Sequence, residues 1–127
     1  QMCIRDRDRH CPILDRAYSA LIDDLSDRGM LDDTLLIAMG EFGRTPKISN
    51  RAAREHHKDC YFSIWAGGGI EPGRVIGESD AKAEHPITRP ITPLQVGTTI
   101  AELCGIGARK RAEMKVLDGG SVIHELI

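Results

Sequence analysis

The sequence predicts an α/β fold, with a small, mostly parallel sheet flanked by helices. An amphipathic helical pattern begins near Pro12, and residues 34–39 then form a short apolar run without polar alternation, as expected of a strand covered on both faces. A second apolar run at residues 61–66 and a second helical pattern after Thr92 follow. Because sheets usually have about five or six strands, we interpret the chain as a fragment whose remaining strands lie upstream.

Composition is typical of a folded protein and argues against two classes of partner. The chain has 127 residues, 41% of them hydrophobic, and a formal net charge of −2. Its 17 basic and 19 acidic side chains are interspersed, so no basic patch indicates nucleic-acid binding. No apolar stretch approaches the roughly 20 residues that span a bilayer. We expect neither a nucleic-acid partner nor a membrane span.

The N-terminal residues and the cysteines carry little information about function. Residues 1–9, QMCIRDRDR, resemble a translated sequencing adapter, and we interpret them as a non-native or artefactual leader before one partial domain at 10–127. The chain has four cysteines and no C-x-x-C pair, which argues against a structural zinc site. Cys60 and Cys104 lie in apolar segments, so we expect both thiols to be buried.

Capping residues predict the ends of the two helices. Gly29 is the expected end of the first helix. Thr92 is the expected N-cap of the second, with Pro93 at its first position and Gln95 at its third. Gly105 is expected to end this second helix.

The remaining segments are interpreted as irregular or short elements. Prolines predict an irregular segment at 85–93. The glycines at 67–69 predict a tight turn before a short strand at 74–77. We favour this turn over a phosphate loop because no G-x-x-x-x-G-K-[ST] or G-x-G-x-x-G pattern surrounds them. We expect the basic residues 109–111 to form a solvated face or loop, and residues 121–127 a terminal strand or helical tail.

Residues able to carry chemistry are concentrated where the first strand ends. The string GEFGRTP at residues 40–46 places Glu41 and Arg44 directly after this strand, where sites form in open α/β sheets. The string REHHKD follows at residues 54–59. Imidazole and carboxylate groups can bind zinc or manganese, and arginine can hold an oxyanion through two hydrogen bonds. Glu41, Arg44 and His56 together would form a metal and anion site.

Two simpler interpretations of the same residues remain open. In the first, the loop is merely polar, its histidines are solvated, and Arg44 pairs with Glu41 or Glu55. In the second, Arg44 bridges loop carbonyl groups and Glu41 caps a helix. Glu41 would then lie more than about 8 Å from His56, which is too far for both to bind one metal ion.

Seven strings from residue 14 onward carry a more specific signal. They are LDRA at 14–17, GMLDDT at 29–34, GEFGRTP at 40–46, REH at 54–56, AGGG at 66–69, RPITP at 89–93 and LDGG at 117–120. Together they resemble the C-terminal part of the domain-of-unknown-function 1501 family, within the alkaline phosphatase and sulfatase superfamily. The resemblance implies part of an alkaline-phosphatase-like α/β sandwich that lacks its N-terminal portion.

The resemblance also implies an activity and a set of site residues. It implies a metal-dependent hydrolase of phosphate or sulfate esters, exported or periplasmic in bacteria, that binds a divalent ion such as Zn, Mn or Ca. Arg44 would be the catalytic residue facing the oxyanion, and Glu41 and His56 would be metal ligands. His57 is the weaker candidate ligand, because tryptophan is common at its position in the family. The nucleophile is expected upstream, so the fragment alone is expected to be inactive.

Two adjacent positions depart from the pattern of metal-dependent members. Their first strand ends in an Asp-His pair that binds metal, whereas this chain has Glu41 followed by Phe42, which cannot bind a metal. The alternative is therefore a non-catalytic domain that has lost part of its metal site and binds an anionic glycan or acts in assembly.

Overall fold

A computed structural model of the chain describes residues 6–50 and 53–127. Helices and strands alternate irregularly along it. The helices are α1 (Cys11–Asp27), α2 (Pro93–Leu103) and α3 (Ala108–Met114), and the strands are β1 (Leu36–Met39), β2 (Gly43–Arg44), β3 (His56–His57) and β4 (Ser63–Ala66). A π-helical turn (Asp6–His10) precedes α1, and 3-10 turns occur at Leu31–Asp33 and His124–Leu126. The predicted mixture of helices and strands is confirmed.

The strands form two antiparallel pairs, so the prediction of a mostly parallel sheet is wrong. β1 pairs with β4, with Met39 opposite Ser63, and β2 pairs with β3. A strand parallel to β1 would require a long crossover that returns the chain to the end of the sheet where β1 begins. Here the segment after β1 contains β2 and β3, and β4 begins beside the end of β1. The loop after β1 and the start of β4 therefore lie at one end of the sheet, and the glycine-rich turn lies at the other.

Helix α1 confirms the first helical pattern but leaves most of that pattern exposed. Gly29 follows the helix with a φ of +65°, a left-handed conformation that glycine adopts at low cost. Ile13 and Leu14 are 59% and 53% exposed, whereas Leu25 is buried. The hydroxyl of Tyr18 lies 3.3 Å from the Ile64 carbonyl oxygen in β4, and burial raises the pKa of this tyrosine. Helix α1 thus contacts the sheet through Tyr18, near the middle of the helix.

Helix α2 begins as its capping residues predict. The Thr92 hydroxyl accepts a hydrogen bond from the Gln95 N–H, and the Gln95 side chain accepts one from the Thr92 N–H. Pro93 is the first helical residue, and Gly105 follows the C-cap with a φ of +77°. This reciprocal pair satisfies two N–H groups that have no partner within the helix.

The best-buried part of the chain lies between α2 and the C-terminal segment. Thr98, Thr99 and Ile123 are almost completely inaccessible to solvent. The Thr99 hydroxyl donates to the Gln95 carbonyl oxygen at 2.8 Å and accepts from the Ile123 N–H at 2.9 Å. This hydroxyl therefore connects the helix to the chain terminus.

Three local predictions are corrected. Of the basic residues 109–111, all in α3, Arg109 and Lys110 are exposed as expected of a solvated face. Arg111 is instead buried, and the Glu102 carboxylate and the Ile106 carbonyl oxygen accept hydrogen bonds from its guanidinium. In the described chain, residues 74–77 form no strand, since Gly73 and Gly77 take left-handed conformations on either side. Cys104 is exposed at the end of α2, whereas Cys60 is partly buried.

The turn at residues 67–69 is confirmed, and close packing explains its glycines. The Gly68 N–H donates to the Leu31 carbonyl oxygen at 2.9 Å. A β-carbon at Gly67 would overlap the carbonyl oxygens of Leu31 and Thr34. The glycines therefore allow two backbone segments to pack together.

The chain exposes more surface than is typical of a globular protein of its mass. Its accessible surface is 9544 Å², against about 6,700 Å² expected for a folded monomer of 14.0 kDa. Among the described hydrophobic residues, only Leu25 and Ile123 are buried. No helix in the described ranges is long and apolar enough to cross a membrane.

Candidate functional site

Strands β2 and β3 bring two of the three predicted site residues together. Arg44 lies directly opposite His56 in the antiparallel ladder, and the Thr45 N–H donates to the Glu55 carbonyl oxygen at 3.0 Å. Directly paired residues project from the same face, with β-carbons about 4.5–5.5 Å apart. Arg44 and His56 therefore share one face of this short ladder.

Gly43 allows the close backbone approach that holds this ladder in place. It is buried, and a β-carbon built there would overlap the carbonyl oxygen of Cys60. The same β-carbon would lie 3.0 Å from the His57 carbonyl oxygen. The glycine between Phe42 and Arg44 thus lets the two site segments pack directly against each other.

The Phe42 ring contacts both predicted site residues of the ladder. Its centroid lies 3.8 Å from that of the His56 ring, with the two planes tilted by 35°. The guanidinium carbon of Arg44 lies 5.1 Å from the same Phe42 centroid, within the distance at which a cation is attracted to an aromatic face. Phe42, Arg44 and His56 form a compact group that we call the aromatic cluster.

Arg54, rather than Arg44, bridges the carbonyl groups of the loop. Arg54 donates to the carbonyl oxygens of Thr45 and Pro46 at 2.6 and 2.5 Å. Arg44 is exposed, and its side chain forms no ion pair or conventional hydrogen bond with the described residues. Its predicted alternative pairing with Glu41 or Glu55 is likewise not seen there.

The side chains of His57 and His56 make different contacts. Its Nε2 donates to the Glu84 carbonyl oxygen at 2.8 Å, which connects β3 to the loop at residues 80–85. His56 has no comparable hydrogen bond within the described chain, and its ring lies against Phe42. The two adjacent histidines therefore differ in availability, with the ring nitrogens of His56 left for a ligand.

Two carboxylates near β3 are already engaged. The side chain of Asp80 accepts hydrogen bonds from the N–H groups of Glu84, Lys82 and His85, which lower the pKa of Asp80, Glu84 contributing most. Asp59 pairs with Lys58 at 2.7 Å, and this hydrogen bond lowers the pKa of the Asp59 carboxyl group. These groups organise the loop around β3.

The described residues alone do not fit a complete metal centre. No group of three or more His, Cys, Asp or Glu side chains is placed there to hold a metal ion. Glu41 is exposed in the bend before β2, and with His56 it would give only two ligands, fewer than the three protein ligands typical of catalytic zinc. A metal site using both residues would need ligands from outside the described residues.

A groove far along the sequence from these residues has its charges compensated. It has a volume of about 430 Å³ and is lined in part by Arg74, Arg89 and Glu125. Arg89 pairs with the Glu125 carboxylate at 3.0 Å, and Arg74 pairs with the Glu71 carboxylate at 3.4 Å. The groove therefore gives less reason to expect an anion than the exposed Arg44 does.

Comparison with known proteins identifies the family. The family described as "Protein of unknown function (DUF1501)" has a model that matches residues 3–127. This chain belongs to the DUF1501 family. No curated protein matches it, and no solved structure does either. The match includes residues 3–9 of the predicted leader.

Sequence reasoning missed two features of this DUF1501 site. The sequence presents Phe42 only as a missing ligand, although a residue two positions before Arg44 lies on the same face of an extended strand. It presents Arg54 only as part of a polar string. Its hydrogen bonds to loop carbonyls had no signal in the sequence, because any of the nearby arginines could have made them.

Proposed function

We propose that this chain is the C-terminal portion of an alkaline-phosphatase-like domain in a metal-dependent hydrolase of phosphate or sulfate esters. The observation that carries the proposal is the cross-strand pair of Arg44 and His56. Both side chains are exposed and lie on one face of the ladder, close to the end of β1. This arrangement supports a role in contacting an anionic ester.

The chemistry assigned to Arg44 is binding and stabilisation of an oxyanion. A guanidinium group presents five N–H donors in a planar fork that suits phosphate and sulfate oxygens. As an ester bond breaks, negative charge develops on these oxygens, and a fixed cation nearby lowers the barrier. Since Arg54 holds the loop carbonyls, Arg44 can contact substrate without giving up a structural hydrogen bond.

The proposal also includes a divalent metal ion, for which the chain offers fewer groups than for the oxyanion contact. Glu41 and His56 are the proposed ligands from this chain for a divalent ion such as Zn, Mn or Ca. Because they do not complete a site, we derive no reaction step through the metal. The remaining ligands and the nucleophile would come from the missing N-terminal part of the same domain.

The surface of the chain supports the existence of that missing part. The accessible area exceeds the expectation for a folded monomer by about 2,800 Å², which is at least as large as one partner's half of a typical permanent interface. β1 and β4 form an isolated two-stranded sheet among the described residues, and such sheets are marginally stable alone. Further strands and helices from the parent domain would cover these surfaces.

A non-catalytic function is the second candidate. Phe42 follows Glu41 where metal-dependent relatives are expected to have a ligand, and the described residues hold no three-ligand group. The aromatic cluster would then bind an anionic glycan, or the exposed apolar surface would serve assembly. In this candidate, Arg44 still contacts an anion, but the domain binds no metal and catalyses no reaction.

Metal content of the full-length protein distinguishes the two candidates. For the hydrolase, we expect stoichiometric divalent metal that falls in Glu41→Ala and His56→Ala but persists in Lys47→Ala, an exposed residue of the same loop. Removing the metal with a chelator should abolish hydrolysis of aryl phosphate or aryl sulfate esters, and returning it should restore the rate. A metal-free protein that neither substitution affects would contradict the hydrolase and favour the binding domain.

A further inference from the structure

We propose that Phe42 is a positioning residue, which orients His56 and Arg44 toward an oxyanion rather than marking a damaged site. The inference rests on the proposed function of Arg44 as an oxyanion contact. It assigns a role to the residue that, unlike the histidine implied at its position by the family resemblance, cannot bind a metal.

The contacts of Phe42 restrict two side chains that otherwise lack partners in the described chain. The imidazole of His56 packs against the ring at 3.8 Å between centroids, and the guanidinium of Arg44 lies 5.1 Å from the ring centroid. Exposed arginines occupy many rotamers, and binding an anion requires that this freedom be lost. A contact that already limits the rotamers lowers the cost of binding.

An aromatic ring can do this without consuming the groups that bind the ligand. The attraction between a guanidinium and a phenyl ring uses the aromatic face, so the N–H donors of Arg44 stay free for oxygen atoms. Packing against a ring likewise leaves both nitrogens of His56 at its edge. A carboxylate at position 42 would instead accept hydrogen bonds from Arg44 and compensate its charge.

The backbone around Phe42 is suited to holding the ring in place. Gly43 is buried against the carbonyl group of Cys60, and the pairing of Arg44 with His56 places both partners on the ring's side of the ladder. Phe42 itself is partly buried, whereas Arg44 and His56 are exposed. The ring therefore acts as a fixed support beneath two exposed polar groups.

The test compares Phe42→Leu with Phe42→Tyr in the full-length protein, using inorganic phosphate and sulfate as probes. Phe42→Leu keeps an apolar side chain but removes the ring, and we expect it to weaken oxyanion binding about tenfold, the scale of a lost aromatic contact. Phe42→Tyr keeps the ring and should restore affinity to within about threefold of wild type. Isothermal titration calorimetry measures both.

NMR of the His56 ring supplies a readout that a general loss of stability would not produce. The ring current of Phe42 should displace the His56 carbon-bound proton resonances in the free protein, and this displacement should disappear in Phe42→Leu and persist in Phe42→Tyr. His56→Asn identifies the resonances among those of the other histidines. Unchanged melting temperatures would show that the variants are folded, and a destabilised Phe42→Leu would be compared at a temperature where its amide spectrum is native.

The outcomes separate this inference from the proposed function. If Arg44→Ala loses the probe and Phe42→Leu binds it as wild type does, the positioning role is wrong and the oxyanion contact stands. If wild type binds neither probe, or Arg44→Ala binds as tightly as wild type, the oxyanion contact itself is wrong, and the positioning role falls with it. Equal loss of affinity in Phe42→Leu and Phe42→Tyr would also overturn the positioning role.

Discussion

The aromatic cluster and the α2–α3 pair hold their arginines in opposite ways. In the α2–α3 pair, Arg111 is buried and donates to the Glu102 carboxylate and the Ile106 carbonyl oxygen. In the cluster, Arg44 is exposed and contacts only an aromatic ring among the charged and aromatic groups described. A buried arginine with satisfied donors stabilises a fold, whereas an exposed arginine with free donors is available to a ligand. Residue type alone does not distinguish the two.

The largest expected effect is on ligand chemistry at Arg44. Arg44→Ala should lower ester hydrolysis by the full-length protein about 10²–10³-fold, because it removes a donor to the developing oxyanion. Its free energy of unfolding should change by less than about 0.5 kcal/mol, since the side chain is exposed. Initial rates and urea unfolding measure the two effects. Lys47→Ala removes a nearby exposed charge and should leave both unchanged, and a rate loss equal to that of Arg44→Ala would refute a specific role.

The second effect is on stability at Arg111. Arg111→Ala should lower the free energy of unfolding by about 2–3 kcal/mol, because Glu102 and a backbone carbonyl lose a charged donor. Arg109→Ala in the same helix is the matched control, since Arg109 is exposed and should cost less than about 0.5 kcal/mol. Urea denaturation checks both. Similar losses of unfolding free energy for the two variants would contradict the difference between buried and exposed arginines.

Adjacent threonines in α2 offer a sharper comparison within the core. Thr99→Val should cost about 1–3 kcal/mol, because the Ile123 N–H would be left buried without its acceptor. Thr98 is equally buried, and its hydroxyl has no partner among the described residues. Thr98→Val should therefore change stability by less than about 0.5 kcal/mol. Thermal unfolding of both variants measures the difference, and a larger loss for Thr98→Val would contradict it.

The smallest effect concerns the acid stability of the loop at residues 80–85. Backbone N–H groups lower the pKa of Asp80 below its ordinary value of 3.8. The ionised form therefore contributes stability above pH 3.8, and that contribution disappears as the pH falls through the lower folded-state pKa. Asp80→Asn should remove this part of the pH dependence, whereas Asp118→Asn, at an exposed aspartate, should not. Melting temperatures from pH 7 to pH 2 test this, and identical profiles for wild type and Asp80→Asn would contradict it.

Local chemistry explains which parts of the fold could be predicted. Helix α2 was predicted because Thr92 and Gln95 form hydrogen bonds within one turn and Pro93 suits the first helical position. The end of α1 followed from Gly29 for a similar reason. The sense of the sheet was predicted wrongly, because two apolar runs look alike whether the strands they form run parallel or antiparallel. The burial of Arg111 was missed because its partner lies nine residues away on another helix.

The sequence by itself determined the two main helices, the apolar strand segments, the turn at residues 67–69 and the family to which the chain belongs. It also placed Arg44 at the end of a strand and His56 in a nearby polar segment. Only the tertiary structure decided that these two residues pair across the strands and that Phe42 contacts both. It also decided that Arg54 donates hydrogen bonds to the loop carbonyl oxygens. Caps and turns form between near neighbours in the chain, whereas this cluster depends on pairing two segments whose meeting no local pattern specifies.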